Sequence, residues 1–109
     1  MTERGAVVTD EKCKTNIPDV YAAGYVIGKS MLAHTAYREA EVAVNTMLGR
    51  KDTMRYSAIP SVIYTNPETA SVGITESQAK KEGLDVTIKS VTMNYSGRYM
   101  AENEGSDGI

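Results

Sequence analysis

The chain of 109 residues is 41% hydrophobic and 24% charged with a net charge of −2, a composition typical of a globular protein with one modest core. Its twelve basic residues are dispersed, which argues against a nucleic-acid partner or a membrane-surface patch, and no apolar run reaches the roughly 18 residues that span a bilayer. The N-terminus lacks the apolar core of a signal peptide, so we expect a cytoplasmic location.

Cysteine chemistry is limited because Cys13 is the single cysteine. One cysteine rules out a disulfide within the chain, a cysteine redox pair and a cysteine-rich zinc site, and we expect no bound metal. Lys12 and Lys14 flank the thiol and favour a lowered pKa. Residues 10–16 predict a polar turn, in which we expect a partly exposed thiol without a catalytic role.

The first predicted elements are short and bounded by glycine. Residues 5–9 are β-prone, and the apolar run 20–23 after Pro18 predicts a strand buried on both faces. Gly24 ends this strand, and Gly28 lies in the loop that follows.

The strongest helical pattern covers residues 31–48. Ser30 is the predicted N-cap and Gly49 the predicted C′ residue. Spacings of three and four residues predict one buried face, formed by Leu32, Ala36, Ala40, Ala43 and Met47. The wetter side of the helix is predicted to carry Arg38, Glu39 and Glu41.

A polar stretch over residues 50–57 marks the predicted domain boundary. Beyond it, residues 59–65 and 69–74 predict two strands joined by a turn at 66–68, and the close spacing favours an antiparallel pair.

A capping box predicts a second helix after Thr75, because Gln78 can reach back to the helix start. Gly83 ends this helix. Residues 86–93 alternate between apolar and polar side chains and predict a third strand, while the chain from Asn94 onward is polar and contains several glycines.

Three sequence blocks carry a resemblance to a known family. Residues 15–24 read T-N-I-P-D-V-Y-A-A-G, which is similar to the T-x(5)-Y-A-x-G-D motif of the FAD- and NAD(P)-dependent pyridine nucleotide-disulfide oxidoreductases. Residues 31–34, M-L-A-H, resemble the helix start typical of its dihydrolipoamide dehydrogenases. Residues 59–76, I-P-S-V-I-Y-T-N-P-E-T-A-S-V-G-I-T-E, resemble the opening of the family's dimerization domain. The resemblance covers nearly all of this chain but only a minor, late part of a family polypeptide.

The resemblance implies an α+β chain. Residues 1–49 would be the strand–helix tail of an FAD-binding domain, residues 50–55 a linker, and residues 56–109 the start of a dimerization domain with an incomplete antiparallel sheet and a helix. The missing parts of the FAD and NAD domains are expected elsewhere in the parent chain. The strand edge left unpaired after residues 86–93 favours a homo-oligomer, and we expect a dimer.

The resemblance also implies a flavin-contacting site formed by Gly24, Tyr25, Met31, Leu32, Ala33 and His34. The first backbone N–H groups of a helix lack intrahelical partners and carry partial positive charge, so those of about residues 31–34 are expected to donate to the pyrimidine end of FAD. For His34 we expect local packing and hydrogen bonding, since the family's catalytic H-x-x-x-x-E motif is absent and we assign no catalytic residue.

Tyr25 departs from the family pattern, which has an aspartate after this glycine. In the family the aspartate accepts hydrogen bonds from the ribityl hydroxyls of FAD as a charged group. A neutral tyrosine either projects towards the ribityl space or swings out in a chain that binds no flavin.

Two functional hypotheses follow from the resemblance. The first is a C-terminal fragment of a dihydrolipoamide dehydrogenase-like enzyme, whose family oxidises dihydrolipoamide to lipoamide through a redox disulfide and FAD, with NAD as acceptor. This chain has no glycine-rich nucleotide fingerprint and no cysteine pair, so we expect the isolated chain to be inactive and to retain no FAD. The second is a free-standing dimerization or binding module without catalysis.

Overall fold

The computed structural model of the chain describes residues 5–103 and Gly108. The predicted features at residues 1–4, and those at 104–107 and 109 in the polar C-terminal end, lie outside the described residues. The chain divides into two compact units, residues 1–73 and 74–109, which are described separately below. The domain limits predicted from the resemblance, 1–49, 50–55 and 56–109, stay predictions.

Turns rather than regular strands form the start of the first unit. Within residues 5–9, the Val7 N–H donates to the Val26 carbonyl at 2.9 Å, and the Thr9 carbonyl accepts from Lys29 Nζ. The predicted strand over 20–23 is wrong, because the run makes only an isolated antiparallel bridge between Lys14 and Tyr21. Its predicted burial is also wrong, since Val20 is 47% exposed. An apolar run becomes a buried strand only where neighbouring strands pair with it, and within residues 5–103 it has just this bridge.

The helix α1 spans Ala33–Met47 and begins two residues later than predicted. Leu32, in extended conformation, is the N-cap and provides no side-chain hydrogen bond, so the prediction of Ser30 as N-cap is wrong. The Ser30 hydroxyl instead pairs with the Thr35 hydroxyl at 2.9 Å. At the other end Gly49 has φ 71°, the left-handed conformation expected after a helix.

The buried face of α1 differs from the predicted alanine stripe. Ala43 is buried as predicted, but Ala40 is exposed and Met47 is 57% exposed. The residues that are buried share a rotated face of the helix: Thr35, Glu39, Val42 and Ala43. The prediction that Glu39 lies on the wetter side is wrong, because its side chain has no exposed surface.

A small core lies between α1 and the loops before and after it. Cys13, Val42, Ala43 and Met54 form the buried cluster, and Tyr21 and Tyr56 pack against it. The predicted partly exposed thiol is wrong, since Cys13 is fully buried. The turn over residues 10–14 causes this: Asp10 Oδ1 accepts the Lys12 and Lys14 amides at 2.8 and 2.9 Å, and Cys13 turns inward with φ 61°.

A two-stranded hairpin ends the first unit. β1 covers Ser61–Ile63 and β2 covers Thr69–Ser71, and they pair antiparallel as predicted with Val62 opposite Ala70. Both strands are shorter than the predicted 59–65 and 69–74. An isolated two-stranded ribbon is only marginally stable, so the two strands form hydrogen bonds only close to the turn.

The second unit contains two short helices. α2 spans Glu76–Lys81, and the predicted capping box is confirmed: Thr75 Oγ1 accepts the Gln78 amide at 3.2 Å and Gln78 Oε1 accepts the Thr75 amide at 3.0 Å. Gly83, with φ 68°, follows the helix as predicted.

The predicted strand over 86–93 is wrong, because these residues are irregular and exposed, and residues 74–103 contain no strand that could pair with them. Alternation of side chains does not by itself supply ladder hydrogen bonds. The segment predicted as merely polar after Asn94 instead contains α3, Gly97–Glu102, capped by the Ser96 hydroxyl.

The α+β fold class is confirmed, since residues 5–103 contain helices and one small antiparallel sheet. In the described part of the chain, no helix is long and apolar enough to cross a bilayer. Residues 5–103 and Gly108 bring together no group of three or more histidine, cysteine, aspartate or glutamate side chains that could hold a metal ion.

Candidate functional site

A surface cleft of about 730 Å³ lies in the first unit, at the place where the predicted site residues are concentrated. Tyr25 and Met31 line it, together with residues 5–9 and 26–29. Both side chains are open to solvent, with 60% of Tyr25 and 65% of Met31 exposed. Gly24 and residues 32–34 flank this cleft without lining it.

Two glycines shape the turn beside the cleft. Gly24 has φ 85° and ψ −156°, a combination that is essentially restricted to glycine, and it leads into the 3-10 helix Tyr25–Ile27. Gly28 has φ 71°, and a Cβ there would lie 2.9 Å from the Ala6 Cβ. Any larger residue at 28 would push the segment 5–9 away, so this glycine sets the width of the cleft.

The start of α1 presents free backbone donors. Among the described residues no acceptor receives the amides of Ala33, His34 or Thr35, and the first turn contains no acidic side chain. The amides of Met31 and Leu32 also have no acceptor among the described residues, so the unbonded donors extend over residues 31–35 and include the predicted 31–34. Together with the helix dipole they favour a ligand atom that is a hydrogen-bond acceptor or carries negative charge.

His34 lies in this first turn and is engaged locally. Its Nε2 donates to the Pro60 carbonyl at 2.9 Å, which ties α1 to the residue before β1. The proton on Nε2 is therefore used within the fold. This contact agrees with the expected packing and hydrogen-bonding role.

Thr9 and Lys29 line the same cleft, and sequence reasoning missed both. Thr9 is 8% exposed, and its Oγ1 is buried without a hydrogen-bond partner within the described residues. Lys29 Nζ donates to the Thr9 carbonyl at 3.2 Å and lies 4.9 Å from the Tyr56 ring centroid. Thr9 is thus a buried hydroxyl without a hydrogen-bond partner among the described residues, in a residue that lines the cleft.

The buried side chain of Glu39 holds the turn at Gly24 by a hydrogen bond. Its Oε2 accepts the Gly24 N–H at 2.6 Å, and its Oε1 accepts the Tyr56 hydroxyl at 2.9 Å. Burial, and then the hydrogen bond to Glu39, raise the pKa of the Tyr56 hydroxyl well above its usual range. Sequence reasoning missed this residue, although Thr35, Glu39 and Val42 share the spacing of one helix face.

The thiol of Cys13 is unsuited to redox chemistry. Burial raises its pKa, and the nearby charge of Glu39 acts in the same direction. The prediction that the flanking lysines lower the pKa of this thiol is therefore wrong. The lysine that does lower the pKa is Lys29, and its effect is smaller than the effect of burial and smaller than the effect of Glu39. A protonated thiol is a poor nucleophile.

A polar brace joins α1 to the segment after it. Arg38 forms a two-pronged ion pair with Asp52, and Asn45 Nδ2 donates to the same carboxylate at 2.8 Å. The hydrogen bonds from Arg38 and Asn45 lower the pKa of Asp52 to about 2. Residues 50–55 are thus held against α1 at neutral pH.

Two family profiles match the chain. "Pyridine nucleotide-disulphide oxidoreductase" matches residues 1–40, and "Pyridine nucleotide-disulphide oxidoreductase, dimerisation domain" matches residues 59–109. The chain belongs to the pyridine nucleotide-disulphide oxidoreductase family, whose members are oxidoreductases.

Curated relatives that are similar to this chain include dihydrolipoyl dehydrogenases. The chain is 44% identical over 109 residues to the dihydrolipoyl dehydrogenase of Bacillus subtilis, covering 100% of this chain and 23% of the relative. It is 42% identical over 107 residues to the dihydrolipoyl dehydrogenase of Chlamydia muridarum, covering 98% and 23%. The chain therefore spans about a quarter of the length of these relatives.

Solved structures agree with this fold. The Cu(II) complex of the HOCl-induced flavoprotein disulfide reductase RclA from Escherichia coli superposes with a TM-score of 0.75 at 26% identity, covering 94% of this chain and 24% of that one. LpdA from Mycobacterium tuberculosis gives a TM-score of 0.71 at 23% identity, covering 89% and 21%, and shows the fold alone.

Proposed function

We propose that these 109 residues supply one side of the flavin site, and the start of the dimerization domain, to a dihydrolipoyl dehydrogenase-type enzyme that oxidises dihydrolipoamide with FAD and NAD. The observation that carries the proposal is that the free amides at the start of α1 follow closely in the chain after Met31, which lines the cleft together with Tyr25. The identity of about 40% to dihydrolipoyl dehydrogenases over the whole chain supports it.

The described residues fit a flavin on three counts. The amides of Ala33 and His34 can donate to an acceptor edge, Thr9 in the cleft wall has an unsatisfied hydroxyl, and among the described residues no acidic side chain lines the cleft. When bound, the flavin of such an enzyme passes electrons between a dithiol and a nicotinamide. The residues of this chain would bind and orient the flavin: Gly24, Tyr25, Met31, Leu32, Ala33 and His34, together with Thr9.

Tyr25 weakens this half of the site. A carboxylate at this position accepts hydroxyl hydrogen bonds more strongly than a neutral phenol does. The difference is about 1.5–3 kcal/mol, the scale of a hydrogen bond to a charged group. We therefore propose that the isolated chain retains no FAD through purification.

We further propose that the isolated chain is catalytically inactive. A dithiol-exchanging enzyme needs a cysteine pair, and the sequence has Cys13 alone. Cys13 is buried and its pKa is raised, so it cannot replace such a pair.

Purified chain tests both statements. We expect a colourless protein after gel filtration, and no NADH formation from dihydrolipoamide and NAD even with added FAD. Stoichiometric flavin absorbance in the eluted peak would reject the first statement. Turnover above the protein-free rate would reject the second.

We propose in addition that the chain forms a homodimer. The dimerisation profile over residues 59–109 supports this, as do the exposed apolar side chains at the hairpin, with Ile63 58% and Val72 64% exposed. If the chain acts only as a binding module, this surface would be its functional part. Sedimentation at tens of micromolar should show a dimer, and a monomer alone would contradict the proposal. The absence of nucleic-acid and membrane partners, and the cytoplasmic location, stay predictions.

A further inference from the structure

Among the described polar and charged residues of the first unit, Glu39 is the most deeply buried, with no exposed surface. It accepts the Gly24 amide through Oε2 and the Tyr56 hydroxyl through Oε1. One side chain of α1 therefore holds two segments that are far apart in the sequence.

The contact with Gly24 fixes a turn that regular secondary structure does not fix. Gly24 lies outside any strand, in a backbone conformation that glycine adopts and other residues avoid. Its carbonyl accepts the Ile27 amide at 3.0 Å, which starts the 3-10 helix carrying Tyr25. Holding the Gly24 amide therefore also sets the direction in which Tyr25 leaves the turn.

The environment of Glu39 indicates that this carboxylate does more than stabilise the fold. Within residues 5–103 it takes part in no ion pair, and the nearby cation Lys29 lies over the Tyr56 ring instead. A buried carboxylate without a cationic partner is costly compared with an apolar residue of the same size. The carboxylate accepts hydrogen bonds from Gly24 and Tyr56, which an apolar side chain could not do.

We infer that Glu39 is the positioning residue of the candidate site, holding the Gly24–Tyr25 turn so that Tyr25 lines the cleft. Glu39 does not itself line the cleft and acts through Gly24. The inference rests on the proposed function only in taking flavin as the ligand of this cleft.

The matched variants are Glu39→Gln and Glu41→Gln. They make the same chemical change two residues apart on α1, and the side chain of Glu41 is 63% exposed and pairs with Arg38. Glutamine keeps the size of the side chain but loses the charge, so a charge-assisted hydrogen bond to Gly24 becomes a weaker neutral one. Glu39→Ala removes both acceptors, and Tyr56→Phe removes one donor while leaving the bond to Gly24.

The deciding readout is the backbone amide of Gly24 in the 109-residue chain, followed by NMR. We expect Glu39→Gln to move the Gly24 and Tyr25 resonances and to speed Gly24 amide exchange severalfold, and Glu39→Ala to speed it about tenfold or more. Glu41→Gln should leave Gly24 near its wild-type exchange rate, and Tyr56→Phe should leave the Gly24 amide resonance near its wild-type position. A merely structural role would instead speed exchange along the whole of α1.

Unchanged Gly24 resonances and exchange in Glu39→Gln would overturn the inference, as would a uniform effect along α1. If Glu39→Ala fails to fold, Glu39→Gln still decides. Titration of the wild-type chain with FAD tests the ligand separately, through the resonances of Tyr25 and Ala33. No shift there would reject flavin binding by this cleft in the isolated chain, and the Gly24 result would still decide whether Glu39 positions the turn.

Discussion

The hydroxyl of Tyr56 donates to Glu39 Oε1 at 2.9 Å, so α1 is joined directly to the segment that leads into β1. The same carboxylate holds Gly24. Gly24 and Glu39 lie in the region matched by the first family profile, and Tyr56 lies in the stretch between the two profiles, so the two parts meet at one buried group. Its contacts make the stability of the first unit and the shape of the candidate site depend on each other.

Tyr56→Phe should lower the free energy of unfolding by about 1–3 kcal/mol, because it leaves one oxygen of a buried carboxylate without its donor. Urea denaturation followed by circular dichroism measures this change. Tyr64→Phe is the matched control, since Tyr64 is 84% exposed and its substitution should change the free energy by less than about 0.5 kcal/mol. Equal effects of the two variants would contradict the role of the Tyr56–Glu39 hydrogen bond.

Tyr25→Asp should strengthen FAD binding by roughly 10- to 150-fold, because a carboxylate accepts hydroxyl hydrogen bonds as a charged group. Quenching of flavin fluorescence during titration measures the dissociation constant. Tyr64→Asp adds the same charge at an exposed residue outside the cleft and should leave the constant unchanged. A Tyr25→Asp chain that binds FAD no better than wild type would show that residue 25 does not face the ribityl chain.

Acid should break the ion pair between Arg38 and Asp52. The folded-state pKa of this carboxyl is lowered from 3.8 to about 2, so its contribution to stability is fully present above about pH 4 and is lost as the pH falls through about 2. The stability difference between wild type and Asp52→Asn, measured by urea denaturation at several pH values, should shrink over that window. Arg38→Gln should remove the same pH dependence, because the guanidinium is the main cause of the lowered pKa. A difference that stays constant from pH 6 to 2 would rule this out.

Cys13 should react slowly with a thiol reagent, because the thiol is buried and its pKa is raised. We expect the folded chain to react with 5,5′-dithiobis(2-nitrobenzoate) at least about tenfold more slowly than the chain in 8 M urea, at the same pH. The urea-unfolded chain serves as its own control, since it contains the same single thiol. Equal rates would mean that the core around Cys13 opens freely.

Thr75→Ala should destabilise α2 by about 1 kcal/mol, because it removes the hydroxyl that accepts the Gln78 amide. Amide exchange of residues 76–81 reports this locally. Ser77→Ala changes a hydroxyl to a methyl group within the same helix without touching the cap and should preserve or slightly raise helix stability. If both variants exchange alike, the capping box contributes nothing measurable.

Sequence patterns predicted the features that depend on neighbouring residues. The capping box at Thr75 and Gln78, the antiparallel pairing of the two short strands and the body of α1 all involve groups a few residues apart. Such contacts can be inferred from spacing alone, because the chain itself brings the partners together. The family was equally evident, since its motifs are short runs of consecutive residues.

The predictions of strands over 20–23 and 86–93 were wrong because a strand depends on partners that local sequence does not show. A strand exists only where a partner strand supplies hydrogen bonds, and apolar runs or alternation do not show whether one is present. Burial was also misjudged where polarity was taken to mean exposure, as with Glu39 and Cys13.

The amino-acid sequence by itself determined the family and the fold class, and it predicts a candidate site within residues 24–34. Only the tertiary structure decided which face of α1 is buried, that the thiol of Cys13 is enclosed, and that Glu39 holds Gly24 and Tyr56. A charged side chain can be buried only when distant parts of the chain provide its hydrogen-bond donors, and those meetings depend on the folded backbone rather than on local spacing.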